Sequence, residues 1–311
     1  MTENKVLMIV GPTAVGKTAV SLRLAEAHSS EIVSADSRQV YRYMDIGTAK
    51  PTAAELAEIP HHFISTQNPD EYYSAGQYGR EARQCIGLLQ QKGVHPVVVG
   101  GSGFYIRALV DGLFAPKISD PGVKEKWRRR IESDGKEAVF AALAKVDPVT
   151  AGRLHINDTQ RIVRALEVFE ITGRPISDYR QQEAIPPRFC PLFVGLKLPR
   201  EVLYHRIDER VDEMIKAGLV DEVESLKQRG YGPELNSLRT VGYAEVFDYL
   251  SGLISKEEMV ELIKRHTRQY AKRQMTWFRR DERIHWLAAD DKSAEEIADE
   301  IIGNPLFKVN P

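Results

Sequence analysis

Short apolar runs bounded by turn residues recur along the 311-residue chain at 5–10, 31–34, 61–65, 95–99, 191–198 and 283–287, and each reads as a buried strand. Between them lie stretches near 17–28, 75–92, 102–111, 199–217 and 219–229 whose apolar residues return every three or four positions, the period of a helix buried on one face. Parallel neighbours in a sheet need a helical crossover, so this alternation predicts an α/β fold with a mostly parallel sheet. From Pro116 to Arg188 the strand signal vanishes. Lys124–Glu132, Lys136–Lys145 and Asn157–Thr172 read as helices, the last closed by Gly173 and Pro175, and prolines 186, 187 and 191 punctuate the return to a strand. Lys256–Arg280 is again helical and strongly basic, and Gly303-Asn304-Pro305 is expected to mark a frayed end.

The first strand feeds Gly11-Pro12-Thr13-Ala14-Val15-Gly16-Lys17-Thr18, a complete Walker A loop. Its glycines let the backbone curl with N–H groups inward, and a helix opening near Lys17 aims its positive dipole end at the same point. Lys17 adds a cation and Thr18 a hydroxyl suited to Mg²⁺. These eight residues therefore predict a site for linked phosphates, of the kind that binds ATP and other nucleotides. The fold expectation becomes a P-loop NTPase-like parallel sheet core, 1–114 and 190–303, interrupted by a helical insertion domain, 115–189, and followed by a tail, 304–311.

A second strand ends just before Asp36, in Ser34-Ala35-Asp36-Ser37-Arg38-Gln39. Strand ends of a doubly wound sheet face the ligand, so Asp36 is a candidate Mg²⁺ ligand, ribose contact or general base, against the plain alternative of a turn-capping aspartate. The helix from Asp158 carries Gln160, Arg161 and Arg164 near its N-terminus, where cations oppose the dipole, a placement that suggests an anion nearby. Farther on, Arg206 and Arg210 share a helix face and could clamp a diphosphate. The competing expectation is an ion-paired surface, with Asp208, Glu209, Asp212 and Glu213 neutralising both.

GPTAVGKT, SADSRQVYRYMDIGTAKP, VVVGGSGFYIRALVDG, NDTQRIVRALEVFEITGRP and TRQYAKRQMTWFRR, in that order, closely resemble the bacterial tRNA dimethylallyltransferase family, the isopentenyl transferases of the adenosine 3′ of the anticodon. The resemblance runs to about Arg280. It implies a dimethylallyl diphosphate donor, Mg²⁺ as cofactor, and diphosphate held by Gly11, Pro12, Thr13, Ala14, Val15, Gly16, Lys17 and Thr18 with Arg210. It further implies an RNA path lined by Asp36, Ser37, Arg38, Gln39, Ser102, Lys124, the anticodon-arm block Gln160, Arg161, Ile162, Val163 and Arg164, and Arg239, Gly242 and Tyr243. Ser102 stands where the family often has Thr, which keeps the hydroxyl.

The chemistry that follows breaks a carbon–oxygen bond. Loop amides, Lys17, Arg210 and Mg²⁺ would stabilise the departing diphosphate, and Asp36 is the candidate acceptor for the proton of the adenine amine. Thr18 would orient the amine or the diphosphate, or touch the metal. A P-loop kinase is the alternative. Against it, Val97-Val98-Val99-Gly100-Gly101 ends in glycines where a nucleotide-hydrolysing site usually supplies an acid.

Composition changes this picture little. The chain has 42% hydrophobic and 28% charged residues, enough to bury a sizeable core. Its apolar runs are too short to span a membrane, and Met1-Thr2-Glu3-Asn4-Lys5 leads straight into a strand, so no signal peptide is expected. Cys85 and Cys190 fit no metal or redox spacing and are expected to be reduced. A cytoplasmic monomer is the expectation. The net charge of −1 hides asymmetry: residues 115–190 carry 14 Lys and Arg against 11 Asp and Glu, and 261–285 carry 8 against 3. Such local excess permits a nucleic-acid partner without requiring one.

Overall fold

The computed structural model describes residues 4–112, 120–180 and 186–307. Its chain forms two compact units, Met1–Val110 with Pro187–Pro311, and Asp111–Pro186. The 114/115 boundary read from the sequence falls outside the described residues.

The larger unit is built on six parallel strands in the order β3-β2-β4-β1-β5-β6: β1 Lys5–Val10, β2 Ile32–Ser34, β3 His61–His62, β4 Val97–Gly100, β5 Cys190–Lys197 and β6 Ile284–Ala288. All six overlap stretches read as strands, although β3 is only the pair His61–His62 and stops short of 65. β1 is central, with Val10 opposite Gly100 of β4 on one side and Gly195 of β5 on the other. Helices α1 Lys17–Ala27, α2 Ala53–Glu58, α3 Ala75–Gln91 and α4 Gly103–Val110 serve the first half of the sheet. Residues 6–10 of β1 are all buried, as a strand covered on both faces requires.

In the smaller unit α5 is Pro121–Val146, α6 Pro148–Ala151, α7 Thr159–Thr172 and α8 Ile176–Arg180. Two helices expected at 124–132 and 136–145 are one run bent at Gly135, whose φ of 86° and ψ of 162° are non-helical. α5 and α7 pack around Trp127, Val139, Leu143, Ile162, Leu166 and Val168. The fully buried Glu167 accepts from the Asp120 N–H (2.8 Å) and pairs with Arg164 (2.5 Å) and Lys124 (3.6 Å). Asp147, likewise buried, accepts from the amides of Thr150 (2.9 Å) and Ser177 (3.0 Å), joining the starts of α6 and α8.

After the insertion the larger unit resumes with α9 Arg200–Lys216, α10 Leu219–Gln228, α11 Tyr243–Leu250, α12 Lys256–Phe278 and α13 Ala294–Gly303. α2, α11 and α13 are additions to the elements expected from the pattern. The expected frayed end at 303–305 is a correction: a 3₁₀ turn at Pro305–Phe307 buries Phe307 with its ring centroid 5.4 Å from that of His285. Cys85 and Cys190 are free thiols, and burial pushes the Cys85 thiol up to about 11, so neither forms a disulfide. No helix among the described residues is long and apolar enough to cross a membrane.

Removing one side of a buried ion pair strands its partners, at a typical cost of about 3–5 kcal/mol. Glu167→Ala should therefore lower the unfolding free energy of the helical unit by about that much, and Glu167→Gln, which keeps an acceptor for the Asp120 amide, by less. Denaturant titration of the full chain followed by Trp127 fluorescence, with Trp277 and Trp286 changed to Phe, measures it. An unshifted midpoint in Glu167→Ala would show that the buried cluster contributes nothing.

Candidate active site

The loop after β1 owes its shape to two glycines, one crowded and one held at a positive φ. A Cβ on Gly11 (φ 147°) would lie 2.7 Å from the Leu196 carbonyl oxygen of β5, inside any tolerable contact. Gly16 (φ 101°) is the left-handed cap from which α1 starts. Ala14 also adopts a left-handed φ of 62°, a conformation that costs an alanine about 1 kcal/mol. Lys17 folds back to donate to the Pro12 carbonyl at 2.6 Å. Burial lowers its pKa to about 7 against the opposing pull of Asp36, and Arg210 lowers it further.

Arg210 of α9 reaches this loop. Asp208 pairs with Arg268 of α12 (2.5 Å) and Asp212 with Lys264 (2.8 Å), so neither neutralises the α9 arginines as the ion-paired alternative supposed. The Arg210 guanidinium donates to Thr13 Oγ1 at 3.5 Å, and burial lowers its pKa despite Glu213. Arg210 lines the cavity and Arg206 does not.

Across from the loop, Asp36 Oδ1 accepts from the amides of Arg38 (2.8 Å) and Gln39 (3.4 Å), the turn-capping geometry that was the plain alternative. Its second oxygen has no hydrogen-bond donor among the described residues and belongs to the cavity wall. Ser37 donates its amide to Ser102 Oγ (2.9 Å), and Ser102 returns its hydroxyl to Ser37 Oγ (3.2 Å). Arg38 donates to the carbonyls of Asn236 (2.8 Å) and Ser237 (3.3 Å). Gln39 Nε2 holds the carbonyls of Thr48 and Ala49.

The remaining sequence candidates divide by exposure. Tyr243 is fully buried, its hydroxyl donating to Glu222 (2.6 Å), and supports the wall from behind, whereas the buried Gly242 lines the cavity. Arg239 is exposed and lines the cavity. In the helical unit, Ile162 and Val163 face the core, Arg164 and Lys124 meet Glu167, and Gln160 and Arg161 are exposed. α7 thus offers Gln160 and Arg161 to solvent, while three of its five candidate side chains hold the unit together.

Three groups escaped the sequence reading. Glu222 of α10 accepts from the consecutive amides of Asp45 (2.8 Å), Ile46 (2.7 Å) and Gly47 (3.1 Å), pinning the polar loop after Tyr41. Tyr270 stands beside Asp36 and Ser102. Burial pushes its hydroxyl up to about 12, Asp36 acts in the same direction, and a hydrogen bond with Ser102 opposes both. Gln274 bridges Thr13 and Gly101. A signal existed for Gln274: it lies on the α12 stripe of Ala271 and Phe278, where an apolar residue is the norm.

An open cavity of about 1530 Å³ is lined by Lys17, Thr18 and Arg210 together with Asp36, Arg38 and Tyr270. No three His, Cys, Asp or Glu among the described residues cluster as a metal site. Thr18 and Asp36 alone would suit Mg²⁺, an ion that keeps several waters and binds largely through substrate phosphates.

The sequence model described as IPP transferase matches residues 39–281, which excludes the phosphate loop. A tRNA dimethylallyltransferase of Pelotomaculum thermopropionicum is 46% identical, covering 96% of this chain and 97% of the relative. One from Desulforudis audaxviator is 47% identical over 92% of each. The crystal structure of a tRNA isopentenylpyrophosphate transferase from Bacillus halodurans is 38% identical with a TM-score of 0.70, covering 97% of this chain and 96% of that one. A eukaryotic dimethylallyltransferase captured acting on tRNA is 30% identical with a TM-score of 0.80, covering 96% of this chain and 78% of that one.

An amine titrating near 7 is charged below that pH and neutral above it, and an anion favours the charged form. Affinity for inorganic diphosphate in Mg²⁺ buffer should therefore fall as pH rises from 7 to 8.5, by at most about tenfold per pH unit for one proton. Lys17→Arg, always charged, should flatten that fall. The ligand's own ionisation is common to both proteins, so equal slopes in calorimetric titrations would remove Lys17 as the titrating group.

Proposed function

This chain belongs to the IPP transferase family and is an enzyme that transfers a dimethylallyl group to tRNA, and we propose that it does so from dimethylallyl diphosphate to the exocyclic amine of the adenosine 3′ of the anticodon. The observation that carries the assignment of roles is the pairing of walls: a buried phosphate loop with two cations faces a carboxylate whose second oxygen is open to the same cavity.

The donor's diphosphate lies along the loop amides of residues 11–18, with Lys17 and Arg210 against its oxygens. As the allylic carbon–oxygen bond lengthens, negative charge grows on the leaving group, and these groups are already in place to meet it. The adenine amine is a weak nucleophile because its lone pair is delocalised into the ring. Attack on the allylic carbon makes its proton acidic, and Asp36 Oδ2 takes that proton while Oδ1 stays on the Arg38 amide. Thr18 orients the diphosphate. Mg²⁺, held by Thr18 and the donor's own oxygens, would add charge to neutralise the leaving group.

To bring its amine to an allylic carbon held over the phosphate loop the adenosine must leave its stack, so base flipping accompanies binding. Gln160 and Arg161 contact the anticodon arm, and Arg38, Gln39, Ser102 and Arg239 line the route of the flipped nucleotide. A monomer is the oligomeric state proposed, and a tRNA substrate supports a cytoplasmic location. The kinase alternative is set aside. β4 ends at Gly100 with Gly101 following, and neither supplies the acid that phosphoryl transfer would use.

The test is incubation of the pure enzyme with unmodified tRNA, Mg²⁺ and either dimethylallyl diphosphate or ATP, followed by nucleoside mass analysis. Isopentenyladenosine should form with the first donor, and phosphate release from ATP should be absent. In Asp36→Asn the turn survives, since an amide oxygen still accepts from Arg38, and the single-turnover rate should fall by about 10² to 10⁴ with donor and tRNA affinities largely kept. A near-normal rate would return Asp36 to its turn-capping role alone. Partial rescue by added Mg²⁺ would make it a metal ligand instead.

A further inference from the structure

Gln274 joins parts of the site that no contiguous stretch of sequence connects. It lies 261 positions from Thr13, on the basic helix α12, and only 6% of it is exposed. Its Oε1 accepts from the Thr13 N–H at 2.9 Å, and its Nε2 donates to the Gly101 carbonyl at 2.9 Å. The orientation of the amide follows from chemistry: a backbone N–H needs the oxygen and a carbonyl needs the nitrogen. A Cβ on Gly101 would stand 2.3 Å from Nε2 and 3.3 Å from the Gly11 carbonyl oxygen, so the glycine after β4 exists where the Gln274 amide enters.

We propose that Gln274 is the positioning residue of the diphosphate site, holding the phosphate loop at a fixed distance from the tip of β4 and, through Thr13, setting Arg210 for the leaving group. The inference rests on the donor assignment made above. A planar carboxamide carries its donor and acceptor on one carbon, so the two loops it joins keep one separation. Thr13 is held by its amide, and its hydroxyl is the acceptor for Arg210. The line Gly101, Gln274, Thr13, Arg210 thus ties β4, α12, the phosphate loop and α9 into one wall. A carboxylate here could accept from Thr13 but would face the Gly101 carbonyl with a second acceptor. An apolar side chain would leave both backbone groups buried and unpaired.

The tests use the full-length enzyme, with thermal unfolding to show that each variant folds. In Gln274→Met, similar in size and unable to make either bond, the single-turnover rate of dimethylallyl transfer should drop about ten- to hundredfold, with tRNA affinity within about twofold of the unaltered enzyme. In Gln274→Glu the defect should depend on pH. A protonated acid can serve both partners, so its rate relative to the unaltered enzyme should recover toward pH 5.5 and worsen toward pH 8.5. An unchanged rate in folded Gln274→Met, parallel loss of tRNA affinity and rate, or a pH-independent ratio for Gln274→Glu would each overturn the proposal. If the unaltered enzyme formed no isopentenyladenosine from dimethylallyl diphosphate, the donor assignment would fail instead, and the variants need not be consulted to see it.

Discussion

The whole site depends on how tightly the carboxyl ends of the central strands crowd together. A side chain on Gly11 would strike the backbone of β5, and one on Gly100 would come 2.2 Å from the Ala35 carbonyl oxygen beyond β2. Backbones this close leave no room for side chains, so the surface they present is amide and carbonyl. The Ala35 N–H donates to Val99 (2.7 Å) and the Ser102 N–H to Ala35 (3.2 Å), which fixes Asp36 one residue past a locked position. A strand end that cannot shift lets a carboxylate and a phosphate loop face each other across a defined gap.

Charge is distributed by the same logic. α12 is basic and α9 acidic, and their pairing through Lys264 with Asp212 and Arg268 with Asp208 neutralises both helices where they meet. Exposed pairs of this kind add little stability. Asp208 and Asp212, two positions to either side of Arg210, are turned to α12, and the guanidinium stands beside Thr13 with Glu213 as its carboxylate neighbour. Lys17 is a buried amine held by a carbonyl instead of a carboxylate. Two buried cations hydrogen-bonded to a carbonyl and a hydroxyl instead of a carboxylate suit the diphosphate proposed to lie against them.

What the sequence disclosed, it disclosed through local signals. Every strand but β3, a pair of histidines, was an apolar run, the phosphate loop was an eight-residue pattern, and the helical insertion was a gap in the strand signal. Gly135 was invisible as a bend because the helical periods on its two sides read equally well as two helices. Ile162, Val163 and Tyr243 belonged to segments that resemble RNA-contacting motifs, but a motif does not say which of its residues face outward, and burial assigns these three to packing. Gln274, Glu222 and Tyr270 were missed for the opposite reason. Their partners lie across the fold, and a lone polar residue on an apolar stripe becomes informative only when the backbone groups it satisfies are known.

A phosphate loop in an enzyme that moves carbon and not phosphorus is less paradoxical when the strand ends are compared. Phosphoryl transfer places its nucleophile at phosphorus, within reach of an acid on the strand beside the loop. In the proposed donor pose the reacting carbon lies one oxygen farther from the loop, so a carboxylate at the end of β4 would stand too near the diphosphate and would repel it. β4 instead ends in glycines and meets the neutral amide of Gln274, and the carboxylate stands on the next strand out, at Asp36. Displacing the acid by one strand keeps the anion cradle free of like charge and sets the proton acceptor beyond the bond that breaks. The same parallel sheet can therefore support either chemistry, according to which strand carries the acid.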